Sequence, residues 1–283
     1  MTVSDYFLPR SLPEALDLIG THGPELLVMA GGTVAMPLIN DGLSLPRAVM
    51  GLRRTGLDRV AQLDGWLHVG ATATLTQLQE QPAVPLLSEA ASATASWSVR
   101  NMGTVGGNLF TPPPGGDIAV ALLALDTNVT LAGPKGERTL PLADFFTGFM
   151  TTSLTDDELV TALSVPLPSG STAYTKFGRK QGNTPAVVTV AVRLTWDADR
   201  IVDARIALGA VGPHPIRARA AERALLGTTL DPDARAAAAT AATAECEPFT
   251  DAIATDWYRR RMVGVVVART LEKLAAGATR EDR

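Results

Sequence analysis

Two glycine pairs stand out for the chemistry they could do. Gly31-Gly32 lies in VMAGGTVAM, between a strand-like and a helix-like stretch, and Gly106-Gly107 lies in RNMGTVGGNLFTPPPGGD (Arg100 to Asp117). Glycine loses more backbone entropy on ordering than any other residue, so an ordered glycine-dense loop implies close approach to its backbone. Free N–H groups at such turns form anion-binding concavities, and two of them could grip the two phosphates of a dinucleotide. Thr33, Thr104, Asn108 and Thr111 add short polar side chains, and Asp117 could accept hydrogen bonds from sugar hydroxyls. Each pair alone also reads as an ordinary turn. Neither fits GxGxxG, and GxxxxGKS/T does not occur.

A third segment, YTKFGRKQGNTPAVV (174–188), places Lys176, Arg179 and Lys180 within five residues. It reads either as a solvated strand edge or as a cationic loop beside an electron-rich cofactor ring. Charge near N1 and N5 is how proteins tune a flavin.

Other chemistries find little support. His22, His68 and His214 are far apart, and Cys246 is the single cysteine, so no clustered metal-ligand spacing exists. One cysteine can neither form an internal disulfide nor ligate an iron–sulfur cluster alone. A net charge of −4 and a pI near 5.4 give no footprint for nucleic acid. Apolar runs fall short of a membrane span, and MTVSDYFLPRSLPEA lacks the pattern of a signal peptide, so a reduced, cytoplasmic setting is expected.

These residues must be positioned by the elements around them. Ser11 and Glu14 form a capping-box pattern ahead of the helix EALDLIG. ELLVMA (25–30) and AVMGL (48–52) read as buried strands, and RVAQLD and LHVGAT as a hairpin about Gly65-Trp66. Thr74 and Gln77 give a second capping box, and PLLSEAASATASWSV (85–99) reads as one helix running into the second glycine loop. IAVALLALD (118–126) reads as a buried helix. NVTLAG and RTLPL flank a turn at Pro134-Lys-Gly136, and ELVTALSVPLP closes this half as a strand. Ser169 to Thr172 reads as a linker. Beyond it, AVVTVAVRLTW and IVDARIALGAV form a hairpin about Asp197-Ala-Asp199, followed by the helices IRARAAERALLG, DPDARAAAATAATAE and DWYRRRMVGVVVARTLEKLAAG. In the last helix Trp257, Val265, Leu271 and Leu274 recur at near-helical spacing, which predicts that they share the buried face. The class is α+β, with two lobes meeting near residue 170.

In this order VMAGGTVAMPL, RNMGTVGGNL…D and YTKFGRK, together with LHVGATATLTQL, RIALGAVGPHPIRARAAERALLG and the last helix, resemble the FAD-binding medium subunit of molybdenum hydroxylases, the xanthine dehydrogenase and carbon monoxide dehydrogenase family. The resemblance implies a two-subdomain FAD-binding fold of the vanillyl-alcohol oxidase (PCMH) type over residues 1–168, with subdomains about 1–55 and 56–168, and a small C-terminal α/β domain of sheet and helices over 172–276. By motif match Ala30, Gly31, Gly32, Thr33 and Val34 would form one FAD phosphate loop. Thr104, Val105, Gly106, Gly107 and Asn108 would form the other. Thr111 and Asp117 would also touch FAD, and Lys176 aligns with a lysine near the flavin. No catalytic side chain and no metal ligand is implied for this chain.

The resemblance further implies partners. A molybdopterin-binding large subunit would hydroxylate the substrate and a small subunit would carry two [2Fe–2S] clusters. The flavin would relay electrons to NAD or another acceptor, in a heterotrimer or a dimer of heterotrimers. The alternatives are a self-standing FAD-dependent oxidoreductase of the same fold and an FAD-free scaffold subunit.

Overall fold

The computed structural model describes residues 3–112, 116–180 and 183–281. Residues 113–115 of TPPPGG and 181–182 of GRKQGN lie outside the described residues.

The chain opens with β1 (Asp5–Phe7), α1 (Leu12–His22), β2 (Leu26–Met29), α2 (Ala35–Asn40) and β3 (Ala48–Gly51). Ser11 caps α1 through the Glu14 N–H at 3.3 Å, whereas the Glu14 carboxylate takes the Arg10 N–H at 2.7 Å. The strands form a parallel sheet in the order β1-β3-β2. Ala15 and Ile19 of α1 pack on Leu26, Ala48 and Met50 on one face of it.

Next come β4 (Val60–Leu63) and β5 (Trp66–Gly70). Their turn is Asp64-Gly65, with φ of 49° and 80°, one residue earlier than Gly65-Trp66. Two successive positive-φ residues match the twist of a two-residue hairpin loop. The Thr74–Gln77 capping box opens α3 (Leu75–Gln79). Two helices, α4 (Pro85–Ala93) and α5 (Trp97–Arg100), replace the single helix expected over 85–99. Thr94 is extended and Ala95 has φ of 53°. Arg100 holds this break by donating to the carbonyls of Ser92, Thr94 and Ala95 at 3.4, 3.2 and 3.0 Å.

The second glycine loop forms the short α6 (Val105–Leu109), and α7 (Asp117–Ala124) follows with every residue buried. Then β6 (Asn128–Gly133), β7 (Gly136–Pro141), the small hairpin β8 (Phe146–Gly148) and β9 (Thr151–Thr152), and β10 (Leu159–Pro166) complete this half. An antiparallel sheet runs β4-β5-β10-β6-β7.

The C-terminal part has β11 (Ser171–Gly178), β12 (Ala186–Asp197), β13 (Arg200–Gly209) and β14 (Ile216–Arg217) in one antiparallel sheet of that order. Helices α8 (Arg219–Leu225) and α10 (Asp256–Glu281) pack against it, and α9 (Pro232–Glu245) packs on those two helices. The buried stripe of α10 is Val263, Val266, Val267, Thr270, Leu271 and Leu274, with Arg259 fully buried at its start. Trp257 and Val265, expected on that face, are exposed. Arg259 takes the inner position because both terminal nitrogens of its guanidinium find acceptors there, although its buried Nε has none among the described residues. It donates to the carbonyls of Ala186, Val187 and Ala210 and to both carboxylate oxygens of Asp251.

The lobes meet along α7. Its core cluster includes Tyr174, Ala191 and Ala207 of the C-terminal sheet, and a Cβ on Gly209 would lie 2.5 Å from Val120 Cγ2. At the end of α7, Asp126 accepts from Arg193, Arg205 and Arg217 at 2.9, 2.8 and 2.7 Å. Burial acts to raise the Asp126 carboxyl, but the Arg205 and Arg217 guanidinium groups outweigh it and hold the carboxyl below its ordinary range. Among the described residues no helix is long and apolar enough to cross a membrane.

Asp126→Asn removes the negative charge and one of the two acceptor oxygens shared by three arginines. Hydrogen bonds to charged groups are worth a few kcal/mol, so the variant is expected to lose roughly 2–3 kcal/mol in urea unfolding. An unchanged midpoint would show that the arginines do not join the lobes.

Candidate FAD site

The first glycine loop connects β2 to α2. The N–H groups of Gly31, Gly32, Thr33 and Val34 donate to no protein group among the described residues, although the Gly32 and Val34 carbonyls accept from Met36 and Leu38. Gly32 adopts φ of 73°, a conformation glycine takes without strain. Arg53 donates to the Gly31 carbonyl at 3.3 Å and so fixes the loop from its acceptor side. Four consecutive donors without partners, on buried Gly31 and half-buried Gly32, Thr33 and Val34, are costly unless something accepts from them. They form the kind of nest that suits phosphate oxygens.

The second loop is built differently. Val105 N–H donates to Ala73 O and Gly106 N–H to Ala71 O, both at 2.9 Å. Gly107 N–H donates to Thr104 Oγ1 at 3.2 Å, and Asn108 N–H to Thr104 O at 3.0 Å. The expectation of free N–H groups at both loops therefore holds for the first only. The second loop can still offer the Asn108 side-chain amide, whose Oδ1 accepts from Ile118 N–H at 3.1 Å, and the Thr111 hydroxyl. Its glycines serve packing: a Cβ on Gly106 would fall 2.8 Å from the Ala71 Cβ and carbonyl oxygen.

The loops touch each other. A Cβ on Gly31 would come within 2.2 Å of the Met102 carbonyl oxygen and 2.9 Å of Gly103 Cα. A Cβ on Gly107 would face Ala30 Cβ at 3.8 Å. Ala30 to Val34 and Thr104 to Asn108 are thus in contact with one another.

Asp117 and Lys176 are also brought together, across the lobe boundary. Lys176 Nζ lies 2.7 Å from Asp117 Oδ2 with both side chains nine-tenths buried, and it donates as well to Ala93 O at 3.3 Å. Thr189 Oγ1 donates to the other Asp117 oxygen at 3.2 Å. Burial pushes the Asp117 carboxyl above its ordinary value, against the pull of the Lys176 charge and the Lys176 and Thr189 hydrogen bonds. Tyr174, whose hydroxyl donates to Asp117 O at 3.4 Å, is raised well above its usual value, by burial first and then by the Asp117 charge. Lys176 is therefore half of a neutral pair rather than a free cation. Arg179 and Lys180 stand exposed, and no ion pair involves them among the described residues.

Several contributors were not singled out as site residues by the sequence, although Tyr174 lies in YTKFGRK and Ala71 and Ala73 in LHVGATATLTQL. Arg53, Tyr174, Thr189 and the carbonyls of Ala71 and Ala73 lie outside the glycine motifs and become neighbours only in three dimensions. Among the described residues no group of three or more His, Cys, Asp or Glu could hold a metal ion.

The backbone clash makes a discriminating prediction. Gly31→Ala forces the loops apart and is expected to cost about 1–3 kcal/mol of stability. Gly107→Ala meets only the Thr104 hydroxyl at 2.8 Å and should cost less. Thermal unfolding of both variants checks the order, and equal midpoints would contradict it.

Comparison with known proteins follows the same lines. Residues 2–168 match the family model of the FAD binding domain in molybdopterin dehydrogenase, and residues 172–274 that of the CO dehydrogenase flavoprotein C-terminal domain. The carbon monoxide dehydrogenase medium chain of Hydrogenophaga pseudoflava is 33% identical over 274 residues, covering 94% of this chain and 95% of the relative. The 6-hydroxypseudooxynicotine dehydrogenase complex subunit alpha of Paenarthrobacter nicotinovorans is 32% identical, with 95% and 93% covered. Among solved structures, carbon monoxide dehydrogenase from Hydrogenophaga pseudoflava lacking the Mo-pyranopterin moiety matches with a TM-score of 0.92 at 34% identity, over 96% of this chain and 97% of that one. Quinoline 2-oxidoreductase from Pseudomonas putida 86 matches with a TM-score of 0.91 at 30% identity, over 98% and 99%. The chain therefore belongs to the family of FAD-binding medium subunits of molybdenum hydroxylases.

Proposed function

We propose that this chain holds one FAD at the paired glycine loops and relays electrons within a heteromeric molybdenum hydroxylase. The electrons would come from [2Fe–2S] clusters of a small partner subunit and pass to NAD or another acceptor. A molybdopterin-binding large subunit would carry out the hydroxylation, in a heterotrimer or a dimer of heterotrimers. The observation that carries the reading is the row of four unpartnered N–H groups from Gly31 to Val34, set against a braced second glycine loop.

Bound there, FAD would supply a centre able to accept electrons singly and release them in pairs. The chain's own residues bind and orient. The N–H groups of Gly31, Gly32, Thr33 and Val34 would face the pyrophosphate, with Ala30 packed behind them. Thr104, Val105, Gly106 and Gly107 would form the opposing wall, and Asn108 and Thr111 would donate from their side chains. The Asp117–Lys176 pair brings no net charge, so its role would be to hold the end of the second loop against the C-terminal lobe while Asp117 keeps lone pairs for a sugar hydroxyl. The iron–sulfur clusters are assigned to a partner because Cys246 is the single cysteine, its thiol raised by burial.

Reconstitution tests the reading. The full chain should take up one FAD and show the visible flavin absorbance band, and the complex isolated with its native partners should contain iron and molybdenum. Lys176→Met, which leaves a buried carboxylate unpaired, should weaken FAD retention and lower stability by about 3–5 kcal/mol. A chain that takes up no flavin would overturn the reading. Turnover of a small substrate by the chain alone would point instead to a self-standing oxidoreductase.

A further inference from the structure

Thioethers flank the first glycine loop. Gly32 lies between Met29, the last residue of β2, and Met36, in the first turn of α2. A Cβ on Gly32 would lie 3.2 Å from Met29 Sδ, 3.5 Å from Met36 Cγ and 3.7 Å from Met29 Cγ. These are the three nearest atoms to that position, so both methionine side chains rest on the turn. The Met36 N–H also donates to the Gly32 carbonyl at 3.0 Å, which ties the residue to the loop. Met36 is 41% exposed and Met29 half-buried, so solvent reaches the pair.

The placement matters because of the donors beside it. The N–H groups of Gly31, Gly32, Thr33 and Val34 have no acceptor among the described residues. A thioether sulfur accepts hydrogen bonds weakly and leaves such donors free. A sulfoxide is polar, and its oxygen is a strong acceptor. An oxygen added to Met29 Sδ would stand one bond from an atom that already touches the Gly32 turn. One added to Met36 Sδ would stand two bonds from such an atom. Either oxygen reaches the donors that would otherwise face phosphate.

We propose that Met29 and Met36 form a peroxide-modification site on the first glycine loop, where a sulfoxide oxygen occupies loop N–H donors and weakens FAD binding. The thioether sulfur attacks one oxygen of hydrogen peroxide, so an S–O bond forms and the O–O bond breaks. Sulfur gives up two electrons and the peroxide gains them. The departing hydroxide takes the proton of the new S–OH group and leaves as water. Methionine sulfoxide reductases reverse the change. The effect on FAD rests on the reading of this loop as a phosphate site, whereas the oxidation itself does not.

Peroxide treatment of the FAD-free full chain, followed by peptide mass spectrometry and FAD titration, tests this. Oxygen should appear at Met36 or Met29, and FAD affinity should fall roughly 3–10-fold, the worth of one hydrogen-bond donor withdrawn from the loop. Methionine sulfoxide reductase with dithiothreitol should restore it, the oxygen leaving as water while the dithiol closes to a disulfide. Met102 and Met150, 48% and 63% exposed, should oxidise as well. The double variant Met29→Leu/Met36→Leu keeps the apolar contact and should hold its FAD affinity through the same treatment. Partial oxidation followed by separation of FAD-bound from FAD-free chains reads the same point without a variant. Sulfoxide at Met29 and Met36 should gather in the FAD-free fraction, while sulfoxide at Met150 should divide evenly. Oxidation of Met150 with Met29 and Met36 left intact would overturn the proposal. So would unchanged affinity in chains oxidised at Met29 or Met36, or an equal loss in the double variant. Failure of the untreated chain to bind FAD would overturn the FAD reading and the proposal together, and the untreated control separates that result from failure of the proposal alone.

Discussion

The contact that organises the site is steric. Gly31 sits so close to the Met102 carbonyl that a single methyl group would lie 2.2 Å from its oxygen. No side chain can occupy that position, so the β2–α2 loop and the loop after α5 meet backbone to backbone. The break at Thr94–Ser96 turns the chain toward this meeting point, and Arg100 secures the break through three carbonyls. Gly106 repeats the device one layer deeper, against Ala71. Two glycine pairs that look equivalent in sequence therefore have different work. The second pair permits packing and has its N–H groups bonded internally. The first keeps its donors free.

The lobes depend on charge where the loops depend on size. A carboxylate at the start of α7 and another just beyond its end each receive cations from the C-terminal sheet. Asp117 binds Lys176 in a buried setting where desolvation opposes ionisation, and Asp126 gathers three arginines at a half-exposed edge. Breaking the buried pair strands a charge and so is expensive, whereas its net stabilisation is small. Such a pair specifies one docking of the lobes more than it strengthens it. Residues of both lobes thereby surround the end of the second loop.

Much of this was legible in the sequence. Hairpins showed themselves through turn residues, the α3 start through Thr74 and Gln77, and the glycine loops through motifs whose order matters more than either motif alone. What stayed hidden has physical causes. The 85–99 segment has helical composition throughout, and its break comes from tertiary bonds of Arg100 to carbonyls that a continuous helix would have used. Apolar periodicity placed Trp257 and Val265 inside α10. Arg259 takes the interior at the start of that helix because five hydrogen bonds from its two terminal nitrogens and a contact with the Phe249 ring hold its charge there. The pairing of Asp117 with Lys176, 59 positions apart, is a property of the folded chain alone. So is the choice of which glycine loop keeps free donors.

Amide hydrogen exchange, with and without FAD, is the most direct test of that choice. The amides of Gly31 to Val34 should exchange fast in the free chain and become protected when FAD binds. Those of Val105 and Gly106 should be protected in both states. If Gly31 to Val34 are already protected without FAD, or stay fast with it, the first loop does not hold the cofactor through its backbone.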